Sequence, residues 1–320
     1  MGELMKAMFA IIYILLGSSL IIGCNQTNIN SIQDDVKPVS ESKVNELPAS
    51  ELPVVELEVK AESQVVSETI ASKALNSNMG VSIYLPPGYS SDKKYPVLYM
   101  LYGYGGNHAS WFSDLQLNGH ADQLIQSDKI NPLIIVSPSY GNSFGVNTKP
   151  GEGVNPGTVD EGNYEDYLIQ ELISFVDAKY STITTKEGRY IGGASMGGYG
   201  ALYLGFTYPE LFSKIGGHSS AIWDYTNTDQ FNDQRDWLYA NEELRSKRDP
   251  FALAKKPSTK EVSVYLDAGE NDLLAGKNKH LYEVLLAENV PAQYHESAGG
   301  HDYMYWVGQL DNYLLFYSGK

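Results

Sequence analysis

Beyond residue 53 the chain alternates between short apolar runs and stretches whose apolar residues recur at helical spacing. Val54 to Ser63 (VVELEVKAES) and Gly80 to Leu85 (GVSIYL) carry apolar residues at every second position, the period of a strand with one face on a core. Pro86-Pro87-Gly88 closes the second of these, because a proline cannot donate to a ladder. Tyr95 to Tyr102 (YPVLYMLY) and Leu133 to Ser137 (LIIVS) are apolar without alternation, as in strands covered on both faces. Tyr164 to Tyr180 has helical spacing, with acids in the first turn where the helix dipole favours them. The same reading predicts strands over Arg189 to Gly193, Val262 to Asp267 and Ala292 to Glu296. It predicts helices over Gly197 to Tyr208, Lys277 to Asn289 and Trp306 to Tyr317. Buried strands alternating with helices imply an α/β fold: a mostly parallel central sheet with helices on both faces, after an antiparallel start. No internal repeat interrupts it.

The first 53 residues follow other rules. Ala7 to Ile22 is an unbroken run of apolar and small residues behind Lys6. It falls short of the roughly 20 residues a spanning helix needs and suits the core of a signal peptide. It ends in Ile21-Ile22-Gly23-Cys24. A small residue directly before a cysteine resembles the bacterial lipobox, in which the thiol is lipidated and becomes the mature N-terminus. Residues 1–24 are therefore expected to be a lipoprotein signal, Cys24 the lipidated residue, and the protein anchored in the cell membrane facing outside the cytoplasm. Residues 25–53 are polar and acidic with no surviving apolar period, which predicts a flexible tether; residues 54–320 form the folded domain.

Composition narrows the partners. Of 320 residues, 23 are Lys or Arg and 39 are Asp or Glu, a formal net charge of −16. With no basic stripe to reverse it, that charge repels phosphate backbones and argues against a nucleic-acid partner. Cys24 is the one cysteine, so no intrachain disulfide can form. No His/Cys/Asp/Glu cluster has metal-ligand spacing and no phosphate-binding loop is present, so neither a metal nor a cofactor is expected.

The chemistry concentrates at Gly193-Ala194-Ser195-Met196-Gly197, a G-x-S-x-G pattern between a predicted strand and a predicted helix. A strand-to-helix elbow holds its serine in a sharp turn, needs glycine where the chains pack closely, and points free helix N–H groups at a developing oxyanion. Ser195 is the candidate nucleophile. In this architecture the base comes last in chain order, after the acid. Of the late histidines, His280 sits on a predicted helix and His295 in a predicted strand, whereas His301 follows Ala298-Gly299-Gly300 in a loop, so His301 is the candidate base. The acid is expected at or after the Val262–Asp267 strand, where Asp267 stands at the strand end and Asp272 well into the loop, and the residues alone leave it open between them. The oxyanion donors are expected to be the backbone N–H of Met196 and, from the loop Gly103-Tyr104-Gly105-Gly106, that of Tyr104.

The stretches VSIYLPPGYSSDKKYPVLYMLYGYGG, YEDYLIQELISFVDAKY, GGASMGGYGALYLGFTYPELF, LDAGENDLL and GGHDYMYW together resemble the esterase D family of α/β-hydrolases, over about residues 57–318. That family includes feruloyl and acetyl-xylan esterases, S-formylglutathione hydrolases and mycolyltransferases. The resemblance implies an α/β-hydrolase fold for residues 54–320 and Asp272, the second aspartate of a D-x-G-x-x-D pattern, as the triad acid; His301 falls on the family's G-x-H-D motif. One departure is Tyr102-Gly103, where the family usually has His-Gly.

Between Ser219 and Lys256, where members of the family diverge, Trp223, Tyr225, Phe231, Trp237 and Tyr239 are mixed with Asn, Asp and Gln. This segment is expected to drape over the site as a lid. Trp111, Trp223 and Trp237 are candidates for stacking on substrate, with packing beneath a long loop as the competing role. The expected activity is serine ester hydrolysis by two-step acyl transfer, on small-molecule or polysaccharide-linked short acyl or hydroxycinnamoyl esters. The alternatives are an acyltransferase using the same triad and a non-catalytic surface carbohydrate-binding protein on a hydrolase scaffold.

Overall fold

In a computed structural model, which describes residues 62–223 and 232–320, eight strands form one sheet in the order β1-β2-β4-β3-β5-β6-β7-β8. The expected signal, Cys24, the tether and nearly all of the Val54–Ser63 strand lie outside the described residues. β1 (Gln64–Ser72) and β2 (Ser77–Leu85) form an antiparallel hairpin, and β2 also pairs antiparallel with β4 (Ile134–Pro138). β3 (Val97–Leu101), β5 (Arg189–Ala194), β6 (Lys214–His218), β7 (Ser263–Gly269) and β8 (Ala292–Ser297) continue the sheet in parallel, β3 lying between β4 and β5.

Helices α1 (Ser110–Ser113) and α2 (Leu117–Gln126) connect β3 to β4. α3 (Tyr164–Asp166), a π-helical segment (Tyr167–Leu172) and α4 (Ile173–Lys179) run without a break where one helix was predicted. Within the π-helical segment Glu171 accepts hydrogen bonds from Ser72 Oγ and from the amides of Lys73 and Ala74, tying this helix to the end of β1. α5 (Met196–Thr207) follows β5, and α6 (Asn232–Leu238), α7 (Glu242–Arg248) and α8 (Pro250–Leu253) fall between β6 and β7. α9 (Ala275–Ala287) precedes β8, and α10 (Tyr303–Ser318) closes the chain.

Successive residues of a strand face opposite sides of a sheet, and β5 and β6 use this to seat a helix on each face. A Cβ built on Gly192 or Gly216 would lie 1.9 or 1.8 Å from Tyr317 Oη of α10. One step along, a Cβ on Gly217 would come within 3.0 Å of Leu202 of α5. The α/β-hydrolase fold is thus built as a mostly parallel sheet with an antiparallel start.

Candidate active site

Ser195 sits between β5 and α5 with φ 57° and ψ −116°, a conformation that strains any residue with a Cβ. Backbone bonds hold it there: its N–H donates to His218 O at 2.9 Å, and its carbonyl accepts from Tyr199 N at 3.0 Å and Ala221 N at 2.9 Å. The flanking glycines are needed for room. A Cβ on Gly193 would come within 2.5 Å of the Gly197 backbone, and one on Gly197 within 2.1 Å of Leu101 O.

Three of the residues singled out in sequence meet here. His301 Nε2 lies 2.8 Å from Ser195 Oγ, and His301 Nδ1 lies 2.9 Å from Asp272 Oδ2. His301 comes from the loop between β8 and α10, with the indole of Trp306 edge-on to its ring at 5.3 Å. The Asp272 side chain is fully buried, and its Oδ1 accepts the Leu274 amide at 2.8 Å. Burial pushes its carboxyl up, but the hydrogen bond and charge of His301, with the bonds from Leu274 N–H and Ser219, outweigh that and hold it below the usual carboxylate range. Asp267, the other aspartate left open by the residues alone, faces away from this chain: it pairs with His218 and with the hydroxyls of Tyr305 and Tyr313. His280 and His295 stay on α9 and β8, His295 stacked on Tyr265.

Met196 is the first residue of α5, where a backbone N–H has no acceptor within its own helix. Across from it, a Cβ on Gly103 would lie 3.5 Å from Ser195 Cβ, so the β3 loop passes directly against the serine. Among the described residues nothing accepts the Tyr104 N–H. Its neighbours are clamped: Gly105 N donates to Asn142 Oδ1 at 2.8 Å, Gly106 N to Gly103 O at 3.0 Å, and Tyr104 Oη to Thr158 O. Tyr102 stabilises the base of this loop. Its hydroxyl accepts the Tyr140 amide at 2.9 Å, its carbonyl accepts the Tyr140 hydroxyl, and the rings pack at 4.5 Å. Burial pushes the Tyr102 hydroxyl up to about 12, so it remains protonated.

Ser195, His301 and Asp272 open into a cavity of about 900 Å³. Trp111, Phe144, Ile222, Trp223 and Trp306 make an apolar wall, and Asp233 and Gln234 of α6 bring the predicted lid to its edge. Trp111 and Trp223 are each 1% exposed, so they bound the space from within the packed core. Trp237 corrects the expectation of a stacking residue. It does not line the cavity; it lies behind Phe144 with centroids 6.2 Å apart, and its Nε1 donates to Glu161 at 3.1 Å. Tyr225 and Phe231 lie outside the described residues. The sequence reading missed Leu273 and Tyr303, which also line the cavity. Leu273 is 72% exposed, and its place directly after Asp272 is the signal in the sequence that could have found it. Among the described residues no group of three His, Cys, Asp or Glu could hold a metal ion.

Residues 72–317 match the esterase family model described as "Putative esterase". An acetyl esterase of Caldicellulosiruptor saccharolyticus is 27% identical over 264 residues, which are 75% of this chain and 93% of that protein. An endo-1,4-beta-xylanase/feruloyl esterase of Xylanibacter ruminicola is 32% identical over 155 residues, 46% of this chain and only 20% of that longer protein. A solved ferulic acid esterase superposes with a TM-score of 0.68 at 26% identity, covering 81% of this chain and 98% of its own.

Proposed function

The chain belongs to this esterase family and is a serine carboxylesterase, and from that premise we propose that it cleaves short acyl or hydroxycinnamoyl esters of carbohydrate outside the cytoplasm, with Ser195, His301 and Asp272 as its triad. The observation that carries the triad is the chain Ser195 Oγ–His301–Asp272, with links of 2.8 and 2.9 Å. His301 Nε2 takes the Ser195 proton as Oγ attacks the ester carbonyl. The carbonyl oxygen becomes an oxyanion held by the amides of Met196 and Tyr104, and Asp272 stabilises the imidazolium. Collapse breaks the ester C–O bond, His301 gives its proton to the leaving alkoxide, and the acyl group remains on Ser195. Water, deprotonated by His301, then releases the acid and restores the hydroxyl.

The substrate reading rests on the cavity and on the relatives. A space of about 900 Å³ bounded by Trp111, Trp223 and Trp306 accommodates an aromatic acyl group, while long-chain lipids call for a broad apolar groove. The proteins it resembles include an acetyl esterase and a ferulic acid esterase. The extracellular side and the membrane anchor rest on Ile22-Gly23-Cys24 behind the apolar run. Such a location also disfavours S-formylglutathione, a thioester made in the cytoplasm. A panel of acetyl, feruloyl and long-chain acyl esters of sugars and simple alcohols tests this reading. Turnover of acetyl or feruloyl sugar esters that is lost about 10⁶-fold in Ser195→Ala is expected. A preference for long-chain esters would reject the substrate class, and activity retained by Ser195→Ala would reject the triad.

A further inference from the structure

Beneath the triad lies a second His–Asp pair that the mechanism leaves unused. His218 and Asp267 are register partners on β6 and β7, in the same row of the sheet as Ala194, the residue before the nucleophile. Both side chains are fully buried. Asp267 Oδ1 accepts from His218 Nδ1 at 2.8 Å, and Oδ2 accepts the hydroxyls of Tyr305 and Tyr313, each at 2.8 Å. The Tyr313 ring stacks on the imidazole with centroids 3.5 Å apart. A buried carboxylate is tolerated when its lone pairs are occupied, and here three donors occupy them.

From this pair one link runs to each triad residue. The His218 carbonyl accepts the Ser195 amide at 2.9 Å. Beyond Asp267, β7 ends at Gly269, whose carbonyl accepts the Asp272 amide at 2.9 Å. The third link passes through Tyr305, in the first turn of α10 just beyond His301. Its N–H donates to the Asp302 cap at 3.0 Å, and its ring is packed so closely under Gly299 that a Cβ there would come within 2.7 Å of it. Gly299 has φ 142°, a conformation that a glycine adopts without strain, and its carbonyl accepts the Asn271 amide.

We propose that Asp267 is a positioning residue for the esterase reaction: by holding the Tyr305 hydroxyl it fixes the loop that carries His301, and so keeps the imidazole in line with Ser195. The inference rests on the triad reading above. Tyr313 supplies the control, because its hydroxyl meets the same carboxylate oxygen at the same distance but far along α10 from His301. A purely structural role would make the two hydroxyls equivalent.

The test compares Tyr305→Phe, Tyr313→Phe and Asp267→Asn in the full chain, with kcat and KM on p-nitrophenyl acetate per fluorophosphonate-titrated site, and Tm for each. Tyr305→Phe is expected to lower kcat about 10-fold with KM nearly unchanged, the signature of a displaced reacting group. Tyr313→Phe is expected to lower Tm comparably and to keep its kcat. Asp267→Asn should slow turnover at least as much as Tyr305→Phe, and combining the two should add no further loss. Unchanged kcat in Tyr305→Phe, equal kcat losses in both Phe variants, or additive losses in the double variant would each overturn the proposal. Should Asp267→Asn fail to fold, the two Phe variants decide alone. His301→Ala is assayed alongside: activity there would reject the triad itself, a result distinct from failure of the positioning role.

Discussion

Asp267 lies within β7 and Asp272 just beyond its end, and their surroundings differ. Asp267 is enclosed by His218, Tyr305 and Tyr313, whereas Asp272 reaches Nδ1 of the imidazole whose Nε2 meets Ser195. Replacing Asp272 with Asn keeps the shape but reverses a hydrogen bond, favouring the imidazole tautomer that cannot take the serine proton. Asp272→Asn is therefore expected to lower kcat by about 10⁴-fold, far more than Asp267→Asn, in steady-state assays of an aryl ester. The carboxylate also carries a pH signature. Its folded-state pKa lies below that of the unfolded chain, so its contribution to stability is complete above the unfolded value and lost as pH falls through the lowered folded one. Denaturant titrations should find the stability gap between the wild type and Asp272→Asn narrowing as the pH falls below about 4. A gap that persisted at pH 2 would mean that it owes nothing to the carboxylate's charge.

At the scale of elements, the predicted core strands and the helices after Ser195 and His301 stand within a few residues of where the sequence reading put them, because each buries large apolar side chains. β6 (KIGGH) escaped the same reading. Gly216 and Gly217 leave room for Tyr317 and Leu202, so the strand's partners supply the bulk that its own sequence lacks. β1 escaped because it is an edge strand with most of its side chains in solvent, and α2 because seven of its ten residues are polar or small. The residues that meet in the candidate site were legible where chemistry imposes a motif, at Ser195 and His301. Asp272 needed the family resemblance, since spacing alone leaves two aspartates open. The lid tryptophans were not legible, because an aromatic stripe reads alike whether it faces a ligand or a neighbouring ring. The structure separates them: Trp223 borders the cavity and Trp237 lies behind its wall. Trp237→Ala is accordingly expected to cost about 3–5 kcal/mol of stability in denaturant titrations, with equal effects on acetyl and feruloyl esters. Trp223→Ala should raise KM for a feruloyl ester while barely changing that for an aryl acetate. Equal KM changes for both esters in Trp223→Ala would reduce that ring to packing as well.

At the scale of the whole molecule, three loops at the carboxyl edge of one sheet bring Ser195, Asp272 and His301 together, and a fourth brings Gly103 against Ser195. Ahead of this domain, Cys24 is proposed to hold the enzyme at a membrane. Cys24→Ser should then abolish incorporation of labelled fatty acid while leaving turnover unchanged, and intact wild-type protein found in the medium with a free thiol would contradict the anchor. The central claim is that the acyl group of the ester is transferred to Ser195 Oγ as the alcohol leaves. The most direct measurement is acid-quench mass spectrometry during turnover of a feruloyl or acetyl ester, with the adduct located by peptide mapping. The account predicts one acyl group on the peptide containing Ser195, formed faster than turnover or at the same rate and absent from Ser195→Ala; an adduct on another residue, or turnover by the Ser195→Ala variant, would contradict it.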